Sequence, residues 1–158
     1  MKNREFYLLA DFVYENFGIK VSDSKMNIFE MKISKLMKSA GVNSVEEYYT
    51  LLKLAKDKKL LTDLLNEVTI NKTDFFREIN HFNFIRDNVE DIMKKNRRID
   101  IHKEIRVWSS ACSSGEEPYT IAMILREYLP PQITIKILAT DISQRVLNIA
   151  VKGRYKAI

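Results

Sequence analysis

Two adjacent carboxylates, Glu116 and Glu117, follow a run of small residues, Ser109-Ser110-Ala111-Cys112-Ser113-Ser114-Gly115. A third carboxylate, Asp141, comes 26 residues after Gly115. A loop without bulky side chains lets a ligand approach the backbone closely. Carboxylates accept hydrogen bonds and attract positive charge. The set therefore suits a ligand that offers hydroxyls to hold and a cation to neutralise. It does not suit a pyrophosphate, which the acids would repel. The G-x-G-x-x-G fingerprint of dinucleotide folds is also absent, with a single glycine in the loop. A nucleoside that carries an ammonium group and no phosphate meets these terms, and S-adenosylmethionine is such a ligand.

The elements that must position these acids are legible on both sides. Ile105 and Val107 supply β-branched residues for a short buried strand ahead of the loop. Pro118 has the fixed φ of a first helical turn, and Glu116 and Glu117 sit where the helix dipole favours negative charge. Ile121, Ala122, Leu125 and Leu129 give that helix an apolar stripe. Ile133, Ile135, Ile137 and Leu138 make a second strand, which leads to Ala139-Thr140-Asp141. Ser143 is placed to cap a further helix through Val146, Leu147 and Ala150, and Gly153 to end it. Strand, loop, helix, strand, acid, helix is the first half of a Rossmann-like α/β unit. Such units bind ligands at the carboxyl ends of their strands, and an acid after the second strand takes ribose hydroxyls.

Upstream, the pattern is helical. Phe6, Leu9, Phe12 and Val13 recur at helical spacing, closed by Gly18. Ser22 or Asp23 is placed to cap a second helix, with Met26, Phe29, Ile33, Leu36, Met37 and Ala40 as its stripe and Gly41 at its end. Ser44 and Glu47 have the spacing of a capping box for a third, with Tyr48, Leu51, Leu52 and Leu54. Leu60, Leu61, Leu64, Leu65 and Val68 mark a fourth. Short helices with short connections predict a small bundle. Phe82, Phe84, Ile85, Val89, Ile92 and Met93 predict a longer helix packed on the coming sheet. The expected division is a helical domain over 1–70, a linker and packing helix over 71–103, and an incomplete α/β domain over 104–158. The fold class is α+β overall.

With 158 residues, 46% hydrophobic and 30% charged, the composition is that of a globular protein with a sizeable core. One cysteine excludes an internal disulfide framework and fits a reducing cytoplasm. No apolar run is long enough to span a bilayer, and Met1-Lys2-Asn3-Arg4 opens no signal-peptide pattern. The net charge of +5 is modest. Nucleic acid is a poor fit, because the lysines lack interleaved exposed aromatics and charge nearly balances over residues 1–70. No spacing of His, Cys, Asp and Glu suggests a metal site. Cys112 reads as a close-packing choice in the small-residue loop, with no histidine near in sequence. Trp108 reads as a core or interface aromatic.

Ser113-Ser114-Gly115-Glu116-Glu117-Pro118-Tyr119, Ala139-Thr140-Asp141-Ile142 and Asn71-Lys72-Thr73-Asp74-Phe75-Phe76-Arg77-Glu78 together resemble the chemotaxis receptor methyltransferases, the CheR family. The resemblance implies S-adenosylmethionine as cofactor, S-adenosylhomocysteine as product, and methylation of glutamate side chains on membrane chemoreceptors. It implies that Asn71, Thr73 and Arg77 line the cofactor site from the linker side. Asp141 would hold the ribose, Ile142 would wall the adenine, and Glu116 or Glu117 would face the methionyl ammonium. Adjacent helical residues point about 100° apart, so only one of the two glutamates serves. Arg77 is the expected positioning cation, for a carboxylate of either cofactor or substrate. Lys25, Lys32, Lys35 and Lys38 fall on the polar side of the second helix. By pattern they are a solvated face, and the resemblance makes them a docking surface for the cytoplasmic helices of the receptor.

The family continues for about another half of its length beyond two strands. The expectation is therefore a truncated form with little activity alone, whose open sheet edge favours a homodimer. A cofactor-binding or protein-interaction module without turnover is the alternative.

Overall fold

The computed structural model describes residues 3–54 and 58–156. Met1, Lys2, Ala157 and Ile158, on which the readings of the two chain ends rest, lie outside the described residues. The chain divides into two compact units, Met1–Ile70 and Asn71–Ile158.

The first unit is helical. It contains α1 (Asn3–Phe17), a 3₁₀ turn (Asp23–Lys25), α2 (Met26–Ala40), α3 (Val45–Leu54) and α4 (Lys58–Val68). Phe6, Leu9, Phe12 and Val13 on α1 meet Phe29, Ile33 and Leu36 on α2, Tyr48 and Leu52 on α3, and Leu64 and Val68 on α4. Each fully buried Leu, Ile or Phe contributes about 1.5–3 kcal/mol, so this stripe-to-stripe contact is what holds the bundle. Gly41 ends α2 at φ 73, and its N–H bonds the Lys38 carbonyl. At the start of α3, Ser44 Oγ accepts the Glu47 N–H at 3.1 Å. The Glu47 carboxylate takes the N–H of Asn43, one residue earlier than a capping box would have it.

Three expectations are corrected here. Neither Ser22 nor Asp23 caps α2, because a 3₁₀ turn intervenes and Lys25 is the residue before the helix. Lys25 therefore lies in that turn and not on the helix face. Leu51 and Leu54 are exposed, since Leu52 takes the core direction and its neighbours at 100° and 200° turn away.

The second unit contains α5 (Ile79–Lys95), α6 (Arg97–His102), β1 (Glu104–Ser110), α7 (Glu116–Tyr128), β2 (Thr134–Thr140) and α8 (Gln144–Lys152). β1 and β2 pair in parallel, from Glu104 opposite Thr134 to Ser110 opposite Thr140. Parallel neighbours need a crossover, and α7 is that crossover. Ile105, Val107, Ile135 and Ile137 turn one face of the pair toward Phe82 and Val89 of α5 and Ile121 and Leu125 of α7. On the other face Glu104 meets Arg106 and Lys136.

Sequence reading needs correction at several points in this unit. The first strand runs through Ser109 and Ser110, which pair with Ala139 and Thr140, so the loop proper is only Ala111–Gly115. Phe84 is exposed, being 200° around the helix from buried Phe82. Trp108 is not a core aromatic. It is 67% exposed beside Leu138 on the open sheet face, with its indole N–H donated to Thr140 Oγ1 at 2.9 Å. Ser143 stands at the amino end of α8 with extended backbone, but its hydroxyl makes no capping bond.

Candidate cofactor site

The carboxyl ends of β1 and β2 carry a strained loop. Cys112 N–H bonds the Thr140 carbonyl at 2.9 Å and so extends the strand pairing by one step. Ala111 and Ser113 then adopt positive φ, 60° and 50°, and Gly115 follows at 103°. Such conformations cost non-glycine residues on the order of 1–3 kcal/mol each and persist only where neighbours over-determine them. Here the neighbours are identifiable. Ser113 N–H donates to Asp141 Oδ2 at 2.8 Å, and Ser113 Oγ donates to the Asn71 carbonyl at 3.0 Å. Gly115 N–H donates to the Cys112 carbonyl at 3.0 Å. Cys112 is buried, and burial, followed by the nearby Asp141 charge, pushes its thiol pKa up. That leaves it a packing residue rather than a nucleophile.

Asp141 is the tie between the two strand ends. Its other oxygen, Oδ1, accepts the Ser143 N–H at 2.8 Å. Each carboxylate oxygen has a second lone pair, so holding the two loops leaves acceptor capacity for a ligand. Ile142, next along, is exposed.

The two glutamates diverge, as helical geometry requires. Glu116 is half-buried and accepts from Ser114 Oγ at 2.7 Å. Glu117 reaches back to the end of β1 and accepts from buried Ser109 Oγ at 2.6 Å. Glu117 joins Asp141 in raising the Cys112 pKa, whereas Glu116 raises that of Tyr155.

The stretch from Asn71 to Arg77 belongs to this unit and is fastened to it. Besides the Asn71 carbonyl, the Phe76 N–H meets Thr120 Oγ1 at 3.3 Å, and that hydroxyl donates to the Glu116 carbonyl at 2.7 Å. Phe76 has φ 54 and Glu78 φ 57, two more strained positions in the same neighbourhood. Thr73 is half-buried. Arg77 is exposed, and its Nη1 donates to the Lys72 carbonyl at 2.6 Å, closing its own turn. Hydrogen bonds thus join Asn71, Asp141 and the loop that leads into Glu116 and Glu117. They do not join Arg77 to any of these acids. Lys25, Lys32, Lys35 and Lys38 belong to the helical unit, where Lys35 pairs with Glu67 at 2.8 Å. His81 and His102 are exposed.

Sequence reading missed Ser109, Ser113, Thr120, Tyr119 and Tyr155. The serines were visible only as small residues. Nothing in a linear pattern marks Tyr155 as a neighbour of Ser114, 41 residues away.

An α/β unit with close backbone and three carboxylates at its strand ends belongs to the class that binds a nucleoside cofactor without relying on phosphate. The comparisons make the class specific. Residues 71–158 match the family described as CheR methyltransferase, SAM binding domain, and residues 4–69 match CheR methyltransferase, all-alpha domain. The chain belongs to the CheR methyltransferase family, whose cofactor is S-adenosylmethionine. It is 41% identical over 154 residues to the chemotaxis protein methyltransferase of Borreliella burgdorferi, covering 96% of this chain and 54% of that protein. It is 32% identical to chemotaxis protein methyltransferase 2 of Vibrio cholerae, over 97% of this chain and 53% of that one. It is also 32% identical to the chemotaxis protein methyltransferase of Escherichia coli, over 99% and 52%. The chain thus spans about half the length of the curated relatives it matches. No helix among the described residues is long and apolar enough to cross a membrane.

Proposed function

We propose that this chain carries the cofactor-binding portion of a cytoplasmic protein-glutamate O-methyltransferase acting on chemoreceptors. One observation supports it most: the Asp141 carboxylate bridges the two strand-end loops, one of which leads directly into Glu116 and Glu117. The donor set fits the cofactor, since acids for hydroxyls and an ammonium are present and the Ala111–Gly115 loop has no basic side chain. When bound, S-adenosylmethionine supplies a methyl group on a positively charged sulfur.

The chain's own residues bind and orient. Asp141 accepts the ribose hydroxyls, and Ile142 lies against the adenine. Glu116 or Glu117, which leave the loop in different directions, faces the ammonium. Asn71 and Thr73 border the site from the connecting stretch. Arg77 turns its guanidinium from Lys72 to a carboxylate when one is present, with its planar fork suited to two hydrogen bonds. A receptor glutamate, with a pKa of about 4.3, is already an anion at neutral pH, so no general base is required of this chain. Orientation and desolvation then carry the rate, with on the order of 7–11 kcal/mol available from orientation.

Lys25, Lys32, Lys35 and Lys38 would meet acidic helices of the receptor. Exposed Ile28 and Met31 on α2, which carries Lys32, Lys35 and Lys38, add apolar contact. The proposed domain limits stay at 1–70, 71–103 and 104–158. A homodimer through the exposed sheet edge remains part of the proposal, and Trp108 and Leu138, 67% and 62% exposed, leave an apolar patch on one face of β1 and β2 for such pairing to cover.

Transfer of a labelled methyl group to receptor cytoplasmic domains tests the reading. Base-labile label on receptor glutamates supports it. Tight S-adenosylhomocysteine binding with no transfer, in this chain and in a longer one, would leave a cofactor-binding module without turnover.

A further inference from the structure

Tyr155 lies outside every motif that pointed to the site, yet three parts of the unit converge on it. Its hydroxyl donates to the Ser114 carbonyl at 2.7 Å. Its ring meets Phe75 of the connecting stretch edge-to-face at 4.9 Å and Tyr119 of α7 at 5.7 Å. The loop has been shaped around it, since a Cβ on Gly115 would come within 2.6 Å of the Tyr155 hydroxyl. Tyr119 joins this arrangement, donating to the carbonyl of Ala150, the residue of α8 that packs against Gly115, at 3.1 Å.

We propose that Tyr155 is a positioning residue for the cofactor loop, its hydroxyl fixing the Ser114–Gly115 peptide and thereby the direction in which Glu116 and Glu117 leave the loop. The argument is geometric. Two residues of that loop hold positive φ against their own preference, and Gly115 is free to adopt many conformations. Asp141 fixes the loop at Ser113. The Cys112 carbonyl holds the N–H side of the Ser114–Gly115 peptide from within the loop, and its carbonyl side, on Ser114, needs a fixed point from outside the loop. The Tyr155 hydroxyl is that point. Burial, with the Glu116 charge next, pushes its pKa up to about 12, so it keeps its proton and remains a donor at any physiological pH. Through Phe75, the same ring also carries the connecting stretch.

The proposal rests on the cofactor reading above, and its test separates the two. The chain, Tyr155→Phe and Tyr7→Phe are compared in two measurements. The first is amide exchange at Ser113 and Gly115 without any ligand. The second is calorimetric titration with S-adenosylhomocysteine. Loss of one hydrogen bond of this kind corresponds to a factor of about 3–10. Tyr155→Phe should speed exchange at Gly115 and weaken the titration by that factor. Tyr7→Phe, which loses the hydroxyl's bond to Asp23 in the helical unit, should leave both unchanged. In turnover the KM for the methyl donor should rise while kcat holds. Equal effects from the two variants would reduce Tyr155 to a packing residue and overturn the proposal, as would Tyr155→Phe exchanging at the wild-type rate. Should the wild type take up no S-adenosylhomocysteine, the cofactor reading fails, while the ligand-free exchange still decides the role of Tyr155.

Discussion

Replacing Gly115 by alanine probes the loop geometry on which the site depends. Gly115 has φ 103, and an added Cβ would lie 2.6 Å from the Tyr155 hydroxyl, 2.9 Å from Ala150 Cβ and 3.0 Å from Ala150 Cα. The tyrosine end can swing aside, but the Ala150 backbone sits inside α8 and cannot. The backbone strain is about 1–3 kcal/mol, and overpacking typically adds about 1–3 kcal/mol. Gly115→Ala should therefore destabilise this unit by about 2–6 kcal/mol. Gly153→Ala is the internal reference. Its φ is 57, and the added Cβ would meet only the Tyr119 side chain, at 2.7 Å from the hydroxyl. Its cost should be nearer the left-handed penalty alone, about 1–2 kcal/mol. Trp108, the single tryptophan, sits on β1 and reports on this unit specifically. Urea unfolding followed by its fluorescence yields both values. A Gly115→Ala shift no larger than that of Gly153→Ala would refute the close approach of loop and α8.

Tyr48→Phe should stabilise the helical unit by about 1 kcal/mol, since the Tyr48 hydroxyl is buried with no hydrogen-bond partner among the described residues; thermal unfolding checks it. Glu104 sits between Lys136 and Arg106, whose hydrogen bonds, Lys136 first, hold its carboxyl below the usual carboxylate range. A depressed native pKa stabilises above the unfolded value of about 4.3, and that contribution is lost as pH falls through the native value. Glu104→Gln should therefore lose stability relative to wild type at pH 6 and converge with it in acid, as read by urea midpoints against pH. Charge reversal at Lys25, Lys32 and Lys38 should leave the unfolding free energy within about 0.5 kcal/mol and lower methyl transfer to receptor domains. Lys35 differs, because reversing it also breaks the Glu67 pair. If the exposed sheet edge pairs two chains and covers that patch, sedimentation should show a concentration-dependent dimer that Trp108→Glu dissolves.

The two-period and 3.6-period patterns carried most of the architecture. Phe29, Ile33 and Leu36, or Ile105 and Val107, announce a buried face because a regular element repeats its direction. The pattern failed where the chain leaves that regularity. Leu54 and Phe84 are apolar but point away from the core. Nothing in a serine pair says that β1 continues through Ser109 and Ser110, because strand length there is set by pairing with Ala139 and Thr140. The acids of the site were legible as residue types at a spacing. Their second partners were not: Ser109 for Glu117, the Ser113 and Ser143 amides for Asp141, and Tyr155 for Ser114 are all long-range or backbone contacts. Arg77 was legible as a residue type, but not the bond that its guanidinium makes to the Lys72 carbonyl of its own turn.

The central claim is that a sulfonium nucleoside is held at the ends of β1 and β2. Titrating S-adenosylhomocysteine into the isotopically labelled chain, with every amide followed by NMR, tests it most directly. The account predicts the largest shifts at Ser113, Gly115, Glu116 or Glu117, and Asp141 to Ser143, all abolished in Asp141→Ala. Shifts concentrated instead in the concavity between α5 and β1, lined by Val89, Ile92 and Ile105, and retained in Asp141→Ala, would contradict it.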